Sequence, residues 1–247
     1  MNIIYDDILR RFKLEGTDKV FKGVTSVLSM IQNDFNAEEA AMKFVTSKNN
    51  TEGWDYETIL EKWSEKSRIS VERGNGFHLM KENEVIGNGG FSFKSENGYK
   101  VFNLDKLKNL QSGEYVELIL PHIPTWTIGI ADKVTIDDKD FFIRDYKCIE
   151  DLKFESKEYY DAKKKKRIRP KLKPPVSHLD DCKGMKIMLQ LSLYAYYLES
   201  FGYRFRGGVI EQAIFKNEKY DHSIEHPMTY FKKEAELILK YFKLKNN

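Results

Sequence analysis

The run FFIRDYKC, residues 141–148, places an aspartate and a lysine where a strand core should be apolar. On a strand, Asp145 and Lys147 leave the same face and Tyr146 leaves the other. Burying an unpaired ion costs several kcal/mol, so these charges need partners. Thirteen residues before Asp145, the stretch GIAD ends in Asp132. One strand-like run earlier, YVELIL holds Glu117 in equally apolar surroundings. Carboxylates crowded on neighbouring strands repel unless a cation neutralises them. Oxygen ligands of this kind suit Mg²⁺ or Mn²⁺ and not zinc. A lysine beside such an ion would steady an attacking hydroxide or the charge of a phosphorane-like transition state. A plain salt bridge is the competing reading of Asp145-x-Lys147 alone. The set Glu117, Gly129-x-x-Asp132 and Asp145-x-Lys147, on three successive strand-like runs, is the more specific pattern.

The elements that must position these residues can be read from periodicity. The first third reads helical. Thr25-Ser26 would cap a short helix over SVLSMIQ, and a second helix covers NAEEAAMKFV. A third starts at Asp55 and runs through ETILEKWSEK. A fourth follows through SVERGNGFHLMKENEV, weakened by Gly74 and Gly76. The middle reads as strands: YVELILP, WTIGIADKVTI and DFFIRDYKCI. The last two form a hairpin through the tight turn Asp137-Asp138-Lys139. GMKIMLQLSLYAYYLESFG leaves little polar face, which predicts a largely buried helix ending near Gly202. Asp180-Asp181 would begin it, where acids suit the helix dipole. FRGGVIEQAIF is a further strand, and MTYFKKEAELILKYFK an amphipathic closing helix. The expected fold class is α/β (α+β), a central mixed sheet flanked by helices. It would form one domain over 1–247. A helical N-terminal portion covers 1–67, the core 68–215 with a basic loop at 163–175, and the C-terminal helix 216–247.

The net charge of +3 conceals an asymmetry: residues 163–173, KKKKRIRPKLK, carry eight basic side chains and no acid, and the rest of the chain sums to 3 − 8 = −5. A concentrated positive segment suggests a polyanion partner; the alternative is a solvated surface loop. Tyr159 and Tyr160 beside it are candidate stacking residues, whereas Trp126 and Tyr196-Tyr197 read as core. Cys148 and Cys182 form no CxxC pair and no zinc-like cluster. They predict a reduced, cytosolic protein without an iron–sulfur cluster, with Cys148 a packed thiol. No apolar stretch approaches the ~18 residues of a membrane span, and the N-terminus lacks the layout of a secretory signal.

The order E…GxxD…DxK resembles the core of the PD-(D/E)xK nuclease superfamily. Arg73-Gly74-Asn75-Gly76-Phe77-His78 resembles the RGxxxH motif of its RecB-type branch, and Gln190-Leu191-Ser192-Leu193-Tyr194 that branch's QxxxY motif. The resemblance spans residues 68–200. The opening FKGVTSVLS also resembles the start of small phage and mitochondrial genome-maintenance exonucleases.

The resemblance implies a restriction-endonuclease-like core and a set of roles. His78 would bind metal through a ring nitrogen, with Asp132, Asp145 and the Tyr146 backbone carbonyl. Lys147 would be the catalytic lysine, and Glu117 would orient it or serve a second metal. Gln190 and Tyr194, four apart on one helical face, would contact DNA or the lysine. Arg73 would be a phosphate contact or a packing ion pair. Lys163, Lys164, Lys165, Lys166, Arg167 and Arg169 would gather DNA backbone in a salt-dependent way.

Departures are the missing proline next to Asp145, where Arg144 stands, and the absence of a GxxxxGK[ST] loop. The four cysteines of the CRISPR-associated adaptation nuclease are also missing, so no iron–sulfur cluster is expected. The implied activity is metal-dependent hydrolysis of DNA, as an exonuclease on single-stranded ends or flaps. The implied setting is phage or bacterial DNA recombination, replication or processing in the cytoplasm, with a helicase or recombinase as the expected kind of protein partner and no membrane. The alternatives are a restriction-type endonuclease reading the major groove, a non-catalytic DNA-binding protein of the same fold, and RNA as substrate.

Overall fold

Alternating apolar positions build the middle of the chain into long strands, and the helices are arranged around them. The structure, a computed structural model, describes residues 1–6, 11–95, 98–99, 102–161 and 165–246. The chain opens with β1 (Asn2–Asp6), β2 (Arg11–Leu14) and β3 (Lys22–Gly23). Three helices follow: α1 (Val24–Ser29), α2 (Ala37–Val45) and α3 (Tyr56–Gly87). Short strands β4 (Phe91–Ser92), β5 (Lys94–Ser95), β6 (Gly98–Tyr99) and β7 (Phe102–Asn103) and the turn of helix α4 (Leu104–Leu107) come next. Then come the long strands β8 (Gly113–His122), β9 (Thr127–Asp137) and β10 (Asp140–Lys147). A small ribbon, β11 (Tyr159–Asp161) and β12 (Lys166–Ile168), precedes α5 (Lys183–Ser200). The chain closes with β13 (Arg204–Lys216), β14 (Lys219–Pro227) and α6 (Lys232–Asn246).

The main sheet has seven strands in the order β14-β13-β10-β9-β8-β4, with β3 beside the start of β9. It is mixed: β8, β9 and β10 run antiparallel, and β10 and β13 run parallel across the α5 crossover. This is the expected α/β class. The β9–β10 hairpin turns at Asp138, which is left-handed at φ 53°. Helix α5 is buried along most of its length and ends before Gly202, whose φ of +92° suits a helix terminus. The core gathers α1, α5 and α6 against the sheet through residues such as Val27, Leu189, Leu193 and Leu239. No helix among the described residues is long and apolar enough to cross a membrane.

Several expectations are corrected. The N-terminal portion is not helical throughout, because β1 and β2 form a hairpin and β1 also pairs with β7. Helix α1 begins at Val24 with Gly23 as its cap, so Thr25 and Ser26 lie inside it. Asn36 and Asp55 do cap α2 and α3, accepting from the amides of Glu39 and Thr58 at 3.0 and 2.8 Å.

The third and fourth expected helices are one helix of 32 residues, about 48 Å long. Each interior glycine costs about 1 kcal/mol, yet α3 continues through Gly74 and Gly76. Tertiary packing carries it: Trp63 meets Phe44 of α2, while Phe77 and Val85 are buried beyond the glycines.

The C-terminal portion is not only a helix, since β14 pairs antiparallel with β13. Asn217 and Glu218, both at positive φ (47° and 66°), make the tight turn. The basic stretch is partly the β11–β12 ribbon. Asp180 and Asp181 precede α5 without capping it, and Cys182 takes the cap position with no side-chain bond. Asp180 is tied to Lys171 and accepts the Ser156 amide, and Asp181 pairs with Lys186 at 2.7 Å.

Candidate functional site

The site forms where β9 and β10 part. Their ladder runs from Asp137↔Asp140 to Lys133↔Arg144 and stops one pair short of Asp132 and Asp145. On the same edge of β9, β3 pairs only with Thr127 and Ile128. The chain is distorted at this point. Along β9 the buried positions are 127–129 and 131 and then 134 and 136, so two half-buried positions in succession, Asp132 and Lys133, shift the phase of the alternation. Across from Asp132 on β8, Glu117 is left-handed at φ 52°, and the ladder skips that pair. A left-handed glutamate inside a strand costs roughly 1–3 kcal/mol. The phase change sends the 127–131 stretch toward α5, where the Thr127 hydroxyl lies 2.6 Å from the Tyr197 hydroxyl. It turns Asp132 toward α3 instead.

There the Asp132 carboxylate accepts the Tyr146 amide at 2.8 Å and lies 3.7 Å from His78 Nδ1. His78 projects from α3, and its Nε2 is 3.0 Å from the Tyr146 carbonyl. His78, Glu117 and Asp132 each offer one ligand atom, all within 4.8 Å of one another. Beside them Lys147 Nζ is 2.6 Å from Asp145 Oδ2 and donates to the Tyr146 carbonyl at 3.2 Å.

The electrostatics follow from burial. Asp132 is raised to about 7, first by burial and then by the neighbouring Asp145 carboxylate. Burial pushes Lys147 down, but Asp145 and Asp132 outweigh it, so its pKa is raised and the ammonium is held charged. Asp145 is 1% exposed, and neither of its carboxylate oxygens has an aligned hydrogen-bond donor. Its ion pair with Lys147 is close but out of hydrogen-bond alignment, which leaves acceptor capacity in a place where buried carboxylates normally spend it. An imidazole nitrogen, several carboxylates and this unspent capacity fit a hard divalent cation such as Mg²⁺ or Mn²⁺.

Asp145 lies beside the three-residue group, paired with Lys147, and Glu117 lies within it. The Tyr146 carbonyl faces both His78 Nε2 and Lys147 Nζ.

On α5, Gln190 donates to the Tyr194 hydroxyl at 2.7 Å. The Tyr194 ring lies against Gly129, where any Cβ would overlap it. The GxxD and QxxxY stretches are thus one packing unit, with the glycine making room for the ring. Burial, then Asp145 and Asp132, push the Tyr194 phenol pKa up, so it stays protonated. At 4% exposure Tyr194 supports the site from behind, and the expectation that it touches DNA is corrected; Gln190 is half-buried.

Arg73 stands over the Phe215 ring at 5.8 Å and 3.7 Å from Glu218, the ion-pair form of its expected role. Cys148 is the packed thiol expected, its pKa pushed up to about 11 by burial. Lys163 and Lys164 lie outside the described residues. Lys165, Lys166 and Arg167 are exposed on the ribbon. Arg169 pairs with Glu155, Glu158 and Asp180 at 3.0, 3.5 and 3.7 Å, at the base of the ribbon.

Two residues of β13 were not anticipated. Glu211 joins Lys81 of α3, Arg144 of β10 and Ser223 of β14 at 3.2, 2.7 and 2.9 Å. Gln212, opposite Lys147 in the ladder, donates to the Ile149 carbonyl at 2.6 Å and fixes the chain just after the lysine. Their signal is the one that marks Glu117, polar residues inside an apolar strand, here VIEQAIF. No protein-family model matches the chain, and no curated protein sequence matches it significantly.

Proposed function

We propose that the chain is a metal-dependent nuclease of the PD-(D/E)xK type that hydrolyses DNA phosphodiester bonds. The observation that carries the reading is the buried Lys147–Asp145 pair beside the His78–Glu117–Asp132 group, at the break between β9 and β10. A structural ion pair alone needs neither two further acids nor a left-handed glutamate.

His78, Glu117 and Asp132 would hold the ion, with Asp145 adjoining. A bound Mg²⁺ or Mn²⁺ would supply an acidified water and polarisation of the phosphoryl oxygen. The remaining roles belong to the chain. Asp145 keeps Lys147 charged and, with the Tyr146 carbonyl, fixes where its ammonium sits. An ammonium has three donors and the Tyr146 carbonyl takes one, so the ammonium can still hold the attacking water or a scissile phosphate oxygen, where it offsets developing negative charge. The Tyr146 amide orients the Asp132 carboxylate and the Tyr146 carbonyl orients the His78 ring, supports of the kind that tune metal ligands.

The test is incubation of the purified chain with end-labelled single-stranded, duplex and closed circular DNA in Mg²⁺, Mn²⁺ or EDTA. The expected result is metal-dependent degradation of linear DNA, abolished by EDTA. Cleaved circles would make it an endonuclease, and equal cleavage of matched RNA would widen the substrate class. No cleavage of any substrate with either metal would overturn the reading.

A further inference from the structure

The ribbon β11–β12 pairs with no other strand among the described residues. Its register sets Tyr159 opposite Ile168 and Tyr160 opposite Arg167. Strand alternation therefore places Tyr160 and Arg167 together on one face, and Tyr159 with Ile168 on the other. Tyr160 is 64% exposed and Tyr159 53%, the most exposed tyrosines among the described residues. Rings displayed this way on an isolated ribbon add nothing to a core.

The surrounding charge is divided. Arg169, Lys171 and Lys173, further along the run, are bonded to Glu155, Asp180 and Asp34. Lys165, Lys166 and Arg167 are exposed and make no ion pair among the described residues. The basic run thus has a clamped base and, on the ribbon, three cations without an ion pair among the described residues.

We propose that this ribbon is a stacking arm for single-stranded nucleic acid. Tyr160 takes the face of an unpaired base, Arg167 beside it engages the same nucleotide, and Lys165 and Lys166 contact the adjoining backbone. The inference rests on the nuclease reading and names its substrate class as an unpaired strand. Cations alone attract single strands and duplexes alike. An aromatic ring discriminates, because a base inside a duplex already has both faces stacked, whereas an unpaired base offers one.

The test is fluorescence anisotropy of the full chain with labelled oligothymidylate and with a labelled hairpin duplex, in EDTA so that substrate stays intact. Stacking is worth ~1–3 kcal/mol per base, so Tyr160→Ala should weaken oligothymidylate binding by roughly 5- to 150-fold. Duplex affinity should hold within about twofold, and Tyr160→Phe should bind like wild type. Arg167→Gln should lower the salt slope on single strands by about 0.7. Thermal melts confirm that each variant folds.

Equal loss on single strand and duplex, or no loss in Tyr160→Ala, would overturn the arm. So would competition by polyglutamate as effective as that by unlabelled oligonucleotide, which would mark a plain cation patch. If Tyr160→Ala binds normally while wild-type cleavage stays metal-dependent, the arm falls and the nuclease reading stands. A wild-type chain that neither binds nor cleaves removes both.

Discussion

The surroundings of Asp132 penalise its charge, so Asp132→Asn should make the metal-free protein more stable at pH 8 while disabling the metal site. Burial and Asp145 raise this carboxyl from 3.8 to about 7 in the folded chain. The folded state then binds the proton more tightly than the unfolded state does. Its contribution to stability is complete below pH 3.8, declines as pH rises, and is fully lost above about 7. At about 1.4 kcal/mol per unit, a shift of this size is worth a few kcal/mol. Asparagine has nearly the same shape and does not ionise, and its Oδ1 still accepts the Tyr146 amide that Asp132 accepts at 2.8 Å.

Melts in EDTA should therefore show Asp132→Asn more stable than wild type by about 1–2 kcal/mol at pH 5 and by about 4 kcal/mol at pH 8. A divalent ion must displace the same proton. Calorimetric Mn²⁺ affinity of the wild type should rise by roughly tenfold or less from pH 6 to 8 and flatten above, with the gain absent from the variant. An Asp132→Asn penalty that is the same at both pH values, or wild-type Mn²⁺ affinity flat from pH 6 to 8, would refute the reasoning.

Other outcomes follow from the packing. His122 is buried, stacked on Tyr197 at 5.0 Å, and its pKa is lowered to about 4 by burial and then by Lys243. Its neutral form is the one that fits, so stability present above about pH 6.5 should be lost as pH falls toward 4, by on the order of 2 kcal/mol. Acid melts of His122→Gln should lack that loss. Gly129→Ala would drive a methyl into the Tyr194 ring and should cost roughly 1–3 kcal/mol in denaturant melts. Adding Tyr194→Ala should cost less than the sum of the two single changes. Gly74→Ala and Gly76→Ala meet no atom within 4 Å and should each raise stability by about 0.4–1 kcal/mol in the same melts.

The strands that carry the site are legible because Glu117, Asp132, Asp145 and Lys147 interrupt apolar runs, and the Asp137–Lys139 turn joins two of those runs in register. What escapes is the non-local part. Glycine propensity is local and argues for a break at Gly74, whereas Phe77 and Val85 hold α3 in one piece by packing on distant residues. Strand β14 is exposed on both faces, so it has no apolar alternation, and its turn is Asn217-Glu218 without glycine. The place of Glu117 beside His78 and Asp132 has a similar cause: strict alternation does not foresee the left-handed Glu117 or the phase change at Asp132. Such departures from local rules concentrate at functional sites.

The most direct test of the central claim is single-turnover cleavage of end-labelled DNA by the wild type and by folded Lys147→Ala, with Mn²⁺ occupancy measured by calorimetry in the same buffer. Lysine is not a ligand, so the variant should bind Mn²⁺ within about threefold of wild type, while its cleavage rate falls by roughly 10²–10³ through loss of a preorganised charge at the phosphate. Lys147→Ala cleaving at the wild-type rate, or a wild type that binds no Mn²⁺ and cleaves nothing, would contradict the account.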